Sequence, residues 1–332
     1  MENELKNNFH SVEASDLVNE EIDEDSLFKR VNLDETESEH IAAEPYSYWK
    51  AVFRVFIKKP AAIISLTSLA ILLLGMIIIP LFAPEGSMEV TANSSKFANL
   101  APSLEHLFGT DQAGRDLFFM CWKGLGLSLL LGIVESAIVV LIGTLIGLAW
   151  GYFRWLDRIM IEIYNLISNV PSLLLYMLLA SILKEAFPRM ATEVKMIISL
   201  TITSWIGIAL FIRNQTIIIT NREYNIASVT LGTPPMRIMT RNLLPYLLAV
   251  IITQMSMLIP GMISSEVSMS YFGVGLSSDT IAIGVLLNEG RALFTQYPWQ
   301  LLAPAGMLAV IILTFFLMGL ALSDALDPKK HR

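Results

Sequence analysis

The sequence holds one cysteine, four histidines and charged residues at only 16% of its positions. A single thiol, Cys121, can close no internal disulfide and cannot by itself make a metal site. His10, His40, His106 and His331 stand far apart and outside every long apolar run, so no pair sits at ligand spacing. The apolar runs pair no serine with a histidine and hold no His/Asp/Glu cluster, which argues against a membrane-embedded enzyme. No Gly-x-x-x-x-Gly-Lys-Ser/Thr loop occurs, so the chain has no phosphate cradle of that kind with which to hydrolyse ATP alone.

What is present is apolar. Hydrophobic residues make up 54% of the chain and its mean hydropathy is positive, so lipid is the expected solvent for most of it. The net charge of −7 is unevenly spread: residues 1–45 carry 14 Asp or Glu against Lys6, Lys29 and Arg30. Such a block cannot bury enough apolar surface to offset its ordering entropy, and is read as a mostly disordered, acidic cytoplasmic tail. It begins acidic and the first long apolar run starts only near Ala61, unlike a signal peptide.

Six stretches are long enough to cross a hydrocarbon core as helices: Ala61 to Ala83, Leu127 to Trp150, Ile159 to Ile182, Met196 to Ile219, Leu243 to Ser265 and Leu301 to Leu322. The expected fold is therefore all-α: a polytopic membrane protein with six transmembrane helices over residues 46–332, an extracellular loop at 84–126 and a cytoplasmic loop at 221–245. Lys50, Arg54, Lys58, Lys59, Arg154, Arg158, Arg222, Arg237, Arg241, Lys329, Lys330 and Arg332 fall on one side, which the positive-inside rule makes cytoplasmic along with both termini.

Gly143, Gly147 and Gly151 recur every four residues and put a small-residue groove down span 2, where another helix can approach closely. Span 3 carries Glu162, Asn165, Asn169 and Ser172 along one stripe, which should face protein or a water-filled path. Polar glue between helices explains each of these as readily as a translocation pathway does. Pro171 in the same span frees a carbonyl and predicts a kink. Glu135, alone in span 2, is a candidate proton or ligand site, with access to water, a neighbouring partner or simple protonation as bland alternatives.

The loop from Asn221 to Pro245 reads as two short helices with a sharp break. Glu223 to Leu231 forms the first, Gly232 ends it in the left-handed conformation, and Thr233 caps a second that opens with Pro234 and Pro235. Pro245 marks the hinge into span 5. Such a segment can be gripped by a partner and pushed; the bland reading is an interfacial loop with Arg237 and Arg241 on lipid headgroups.

These residues resemble the permease subunits of binding-protein-dependent ABC importers, whose signature is Glu-Ala-Ala, three residues, Gly, nine residues, Ile, one residue, Leu-Pro. Ala227, Gly232, Leu244 and Pro245 fall in register, while Ile226, Ser228 and Asn242 replace the Glu, the second Ala and the Ile. The dipeptide and oligopeptide branch carries Glu-Tyr-x-x-Ala-Ala-x-x-Leu-Gly instead, which Glu223, Tyr224, Ala227, Leu231 and Gly232 fit. Three further segments resemble the C-type permease of that branch: His106 to Asp116 with Gly109, Asp111, Gly114, Arg115 and Asp116; Glu266 to Leu276; and Leu322 to Lys329. Read physically, Gly109, Gly114, Gly273 and Gly275 mark tight outer turns, and an ion pair among Asp111, Arg115 and Asp116 is favoured over substrate contact. His106 is expected to be a loop residue.

The resemblance implies the type I permease fold and a non-catalytic subunit forming half of an oligopeptide import pathway in the bacterial cell membrane. Dipeptide or nickel import is the alternative within the family, and an ion-coupled secondary transporter resting on Glu135 the alternative outside it. Implied partners are a second homologous permease, two ATPase subunits that bind ATP and Mg, and an extracellular peptide-binding protein. The coupling loop would comprise Glu223, Tyr224, Ala227, Ser228, Leu231, Gly232, Thr233, Pro234, Leu244 and Pro245.

Overall fold

The computed structural model describes residues 48–90 and 94–326. The acidic segment 1–45 and the basic residues Lys329, Lys330 and Arg332 lie outside the described residues. Among the described residues the regular structure is helical: α1 (Tyr48–Ile57), α2 (Pro60–Leu81), α3 (Leu117–Tyr152), α4 (Arg154–Ser168), α5 (Ser172–Ala186), α6 (Thr192–Thr220), α7 (Glu223–Thr230), α8 (Pro235–Arg237), α9 (Leu244–Tyr271), α10 (Ile283–Ala292) and α11 (Trp299–Leu326). Five helical runs are long and apolar enough to cross a membrane, and six if the bent pair α4–α5 counts as one.

The groove predicted on span 2 is occupied from within the chain. Helix α6 lies along it so closely that a Cβ on Gly147 would stand 2.6 Å from the Ala209 carbonyl oxygen, and one on Gly151 2.8 Å from that of Arg213. Bare glycine backbone is what lets the two helices meet at this range. Around this pair, α2, α9, α10 and α11 share a core that includes Leu72, Leu129, Ile263, Ile283 and Phe315. Helix α2 is apolar all round yet mostly exposed within the chain, as a lipid-facing helix should be.

Three features differ in detail from expectation. Residues 159–182 fall in two 15-residue helices that meet at 88°, a bent pair that makes the sixth span if it is counted as one. Pro171 is the N-cap of α5 at φ −54° and ψ 124°, and a proline disfavours helical geometry at the residue before it, so the helix breaks where a kink was expected. The helix that contains span 2 begins at Leu117, ten residues before the expected span, because the Asp116 carboxylate caps it by accepting from the Phe118 N–H at 2.8 Å. And the cytoplasmic loop enters span 5 without a break in the helix: Pro235–Tyr271 forms a single 37-residue helical run. Within it, Ile238–Leu243 widen into a π turn, with the Leu244 N–H donating to the Met239 carbonyl. An α-turn would press the Pro245 ring against the carbonyl four residues back, and the wider turn relieves that clash.

Candidate functional site

Helix α7 is short, but three sets of bonds hold it. Glu223 places a carboxylate in its first turn, where the helix dipole favours one. Its far end closes in a Schellman motif: the Thr233 N–H donates to the Ser228 carbonyl and the Gly232 N–H to that of Val229, with Gly232 at φ +77°. Thr233 therefore supplies a backbone donor to α7 and does not cap α8, whose N-cap is Pro234.

The third set was not anticipated. Asn225 is fully buried beneath α7; its Nδ2 donates to the Ile219 carbonyl at the end of α6 (2.8 Å), and its Oδ1 accepts from Asn242 Nδ2 (3.1 Å). Asn242, noticed in the sequence only as a departure from a signature, thus ties α7 to the π turn that leads into α9. Tyr224 packs near Tyr246, with ring centroids 6.0 Å apart, and Arg222 lies 6.0 Å from the Tyr246 ring. Above these tethers the apolar side chains point outward. Tyr224, Ile226, Val229 and Met236 are exposed, and Leu231 is 85% exposed. Glu223, Ala227, Gly232, Pro234 and Pro245 are exposed with them, whereas Ser228, Thr233 and Leu244 are half-buried.

The segment before α3 is organised in the opposite way. Gly109 and Gly114 both take φ +74°, and at Gly109 the ring of Trp299 lies under 3 Å from where a Cβ would stand. The Asp111 carboxylate accepts from the Ala113 N–H, the Arg115 N–H and Arg115 Nε, while Arg115 Nη2 donates to Glu289 on α10 at 2.8 Å. Gln300 Nε2 reaches back to Asn99 and to the Thr110 carbonyl. His106 is more than a loop residue: its Nδ1 lies 2.8 Å from the Asp116 carboxylate. Burial raises the Glu289 carboxyl above its ordinary value, and Arg115 beside it pulls the other way.

Glu135 and the polar stripe are not brought together. Glu135 is fully buried, neither of its oxygens makes a hydrogen bond, and its electrostatic neighbour is another carboxylate, Glu266 on α9, which accepts from Ser270 Oγ at 3.1 Å. Glu162, Asn165, Asn169 and Ser172 are instead exposed on α4 and the start of α5. Ser172 lines a cavity of about 310 Å³ with Ser168, Tyr176, Thr203 and Ser204. Among the described residues no group of three or more His, Cys, Asp or Glu could hold a metal ion.

Glu266 was legible as the first residue of a quoted motif. Asn225 gave no signal, because its burial depends on a carbonyl six residues back and a side chain 17 residues ahead.

Residues 140–332 match the family described as "Binding-protein-dependent transport system inner membrane component", and residues 47–102 match the "N-terminal TM domain of oligopeptide transport permease C". The chain is 36% identical over 306 residues to the oligopeptide transport system permease protein AmiD of Streptococcus pneumoniae, covering 92% of this chain and 97% of that protein. It is 31% identical over 308 residues to the oligopeptide transport system permease protein OppC of Bacillus subtilis (92% and 98%). It is 34% identical over 298 residues to the dipeptide transport system permease protein DppC of the same organism (89% and 90%).

Proposed function

The chain belongs to the family of binding-protein-dependent transport system inner membrane components, and from that premise we propose that it is the permease subunit that forms half of the pathway of an ATP-driven oligopeptide importer. It is a non-catalytic, multi-pass membrane subunit, and ATP and Mg belong to partner ATPase subunits. Its relatives rank an oligopeptide permease at 36% and another at 31% on either side of a dipeptide permease at 34%, so identity favours peptide without fixing its length.

The observation that carries the coupling role is α7: a helix tethered from below by Asn225 and Asn242 that holds its apolar side chains out to solvent. An exposed apolar patch rimmed by polar residues marks a protein interface. ATPase closure on nucleotide would carry α7 with it and drive the bundle between inward-facing and outward-facing states. Two ATPase subunits, a second homologous permease and an extracellular peptide-binding protein complete the assembly. With α7 on the cytoplasmic side, both termini are cytoplasmic, residues 1–45 form an acidic tail there, and residues 46–332 form the permease unit. The matched region begins at residue 47, in keeping with that boundary.

The test is Gly232→Val. At φ +77° a β-branched residue is strained, so the end of α7 should unwind. The expected result is loss of peptide uptake and of ATPase co-purification while the permease still inserts in the membrane. Intact uptake and intact assembly would sink the coupling assignment.

A further inference from the structure

At the end of the bundle away from α7, a cavity of about 870 Å³ lies among the ends of α5 and α6, the turn after α9 and helix α10. That volume falls within the range that encloses a small ligand. Apolar wall is supplied by Met196, Leu276 and Val285.

Its lining carries two lysines, Lys184 and Lys195, and two glutamates, Glu185 and Glu289. Glu289 lines it, but its carboxylate is engaged by Arg115. Lys184 and Glu185 stand exposed on α5. Lys195 is different. It is only 7% exposed, and among the described residues its ammonium makes no hydrogen bond and no ion pair. It sits in the first turn of the 29-residue helix α6, whose N-cap residue Ala191 offers no side-chain acceptor, so the positive end of a long helix borders the same space. Glu193 shares that turn but is not part of the cavity wall. The Lys195 nitrogen is not one of the fully enclosed polar atoms, so it opens onto the cavity, where an entering anion can pair with it.

We propose that this cavity receives the terminal carboxylate of a peptide, with the Lys195 ammonium as its counter-charge. The inference rests on the peptide-importer reading and names a substrate contact within it. A chain end carries one compact negative charge on an otherwise amphipathic body, which matches one unpaired cation in a wall of mixed polarity. The contact would select peptides with a free C-terminus at the permease, after the binding protein has released them.

The test uses the full transporter in nanodiscs, supplied with binding protein saturated either with a peptide or with its C-terminal amide. Wild type should turn over the free acid about tenfold faster than the amide, the value of one charge-assisted contact. Lys195→Met should remove that preference by slowing the acid and leaving the amide within about twofold, and Lys195→Arg should restore it. Equal turnover of acid and amide by wild type overturns the proposal without any variant being needed. So does Lys195→Met slowing both peptides equally, which would mark Lys195 as structural. So does a Lys195 effect that disappears when anionic lipid is left out of the nanodisc, which would make a lipid headgroup the ligand. A wild-type complex that moves neither peptide overturns the importer reading and this one with it; peptide transport without acid preference overturns this one alone.

Discussion

The segment before α3 and the segment around α7 are built by opposite rules. At the α3 end, residues far apart in sequence are joined: Arg115 to Glu289 across 174 positions and Gln300 to Asn99 across 201. Asp111, Arg115 and Glu289 find their partners inside the chain there, and Gly109 packs beneath Trp299. Around α7 itself the bonds are local, Asn225 to Ile219 and Asn242, and the apolar side chains have no cover, although at the same end of the bundle Lys59 meets Asp324 across 265 positions. The first segment is closed by its own contacts. The second leaves an apolar surface that the proposed ATPase partner would cover, so stability and coupling should separate when the two segments are mutated.

Gly109→Val should be the most damaging change, because it combines strain at φ +74° with a clash against Trp299; a loss above about 3 kcal/mol is expected, read as a collapse of Tm in nanodiscs. Arg115→Met should follow at about 2 kcal/mol, since it strands the buried Asp111 carboxylate while Glu289 retains some solvent. Asn225→Ala should cost about 1 kcal/mol in Tm yet sharply lower the uptake obtained per ATP hydrolysed, because α7 loses its tether. Leu231→Ser should leave Tm within about 0.5 kcal/mol of wild type and weaken ATPase co-purification. Should Leu231→Ser lower Tm as much as Arg115→Met does, the contrast between the two segments would not stand.

Legibility in the sequence followed the range of the interaction that decides each feature. The glycine groove was readable because three glycines at spacing four act on one helix face, although only the structure showed that α6 fills it. Gly232 was readable because helix termination is local. Pro171 announced a disturbance, but whether a proline bends a helix or breaks it depends on what its neighbours pack against. Helix α10 was passed over because ten residues cannot span a bilayer, and its place is set by close approaches such as Gly284 to Val267 that no window detects. Lys195 carries no signal in the sequence, since burial without a partner is a property of the folded wall and not of the segment.

The unbroken run from Pro235 to Tyr271 ties the two ends together mechanically. At 1.5 Å per residue its 37 residues reach about 55 Å, from the grip beside α7 to Ser270 in the wall of the outer cavity. A hinge at Leu244–Pro245 would have let α7 swing while α9 stood still. Under the proposed coupling, a continuous helix with a widened turn near α7 would carry torque as well as thrust, so rotation applied at α7 would reach the cavity wall as rotation.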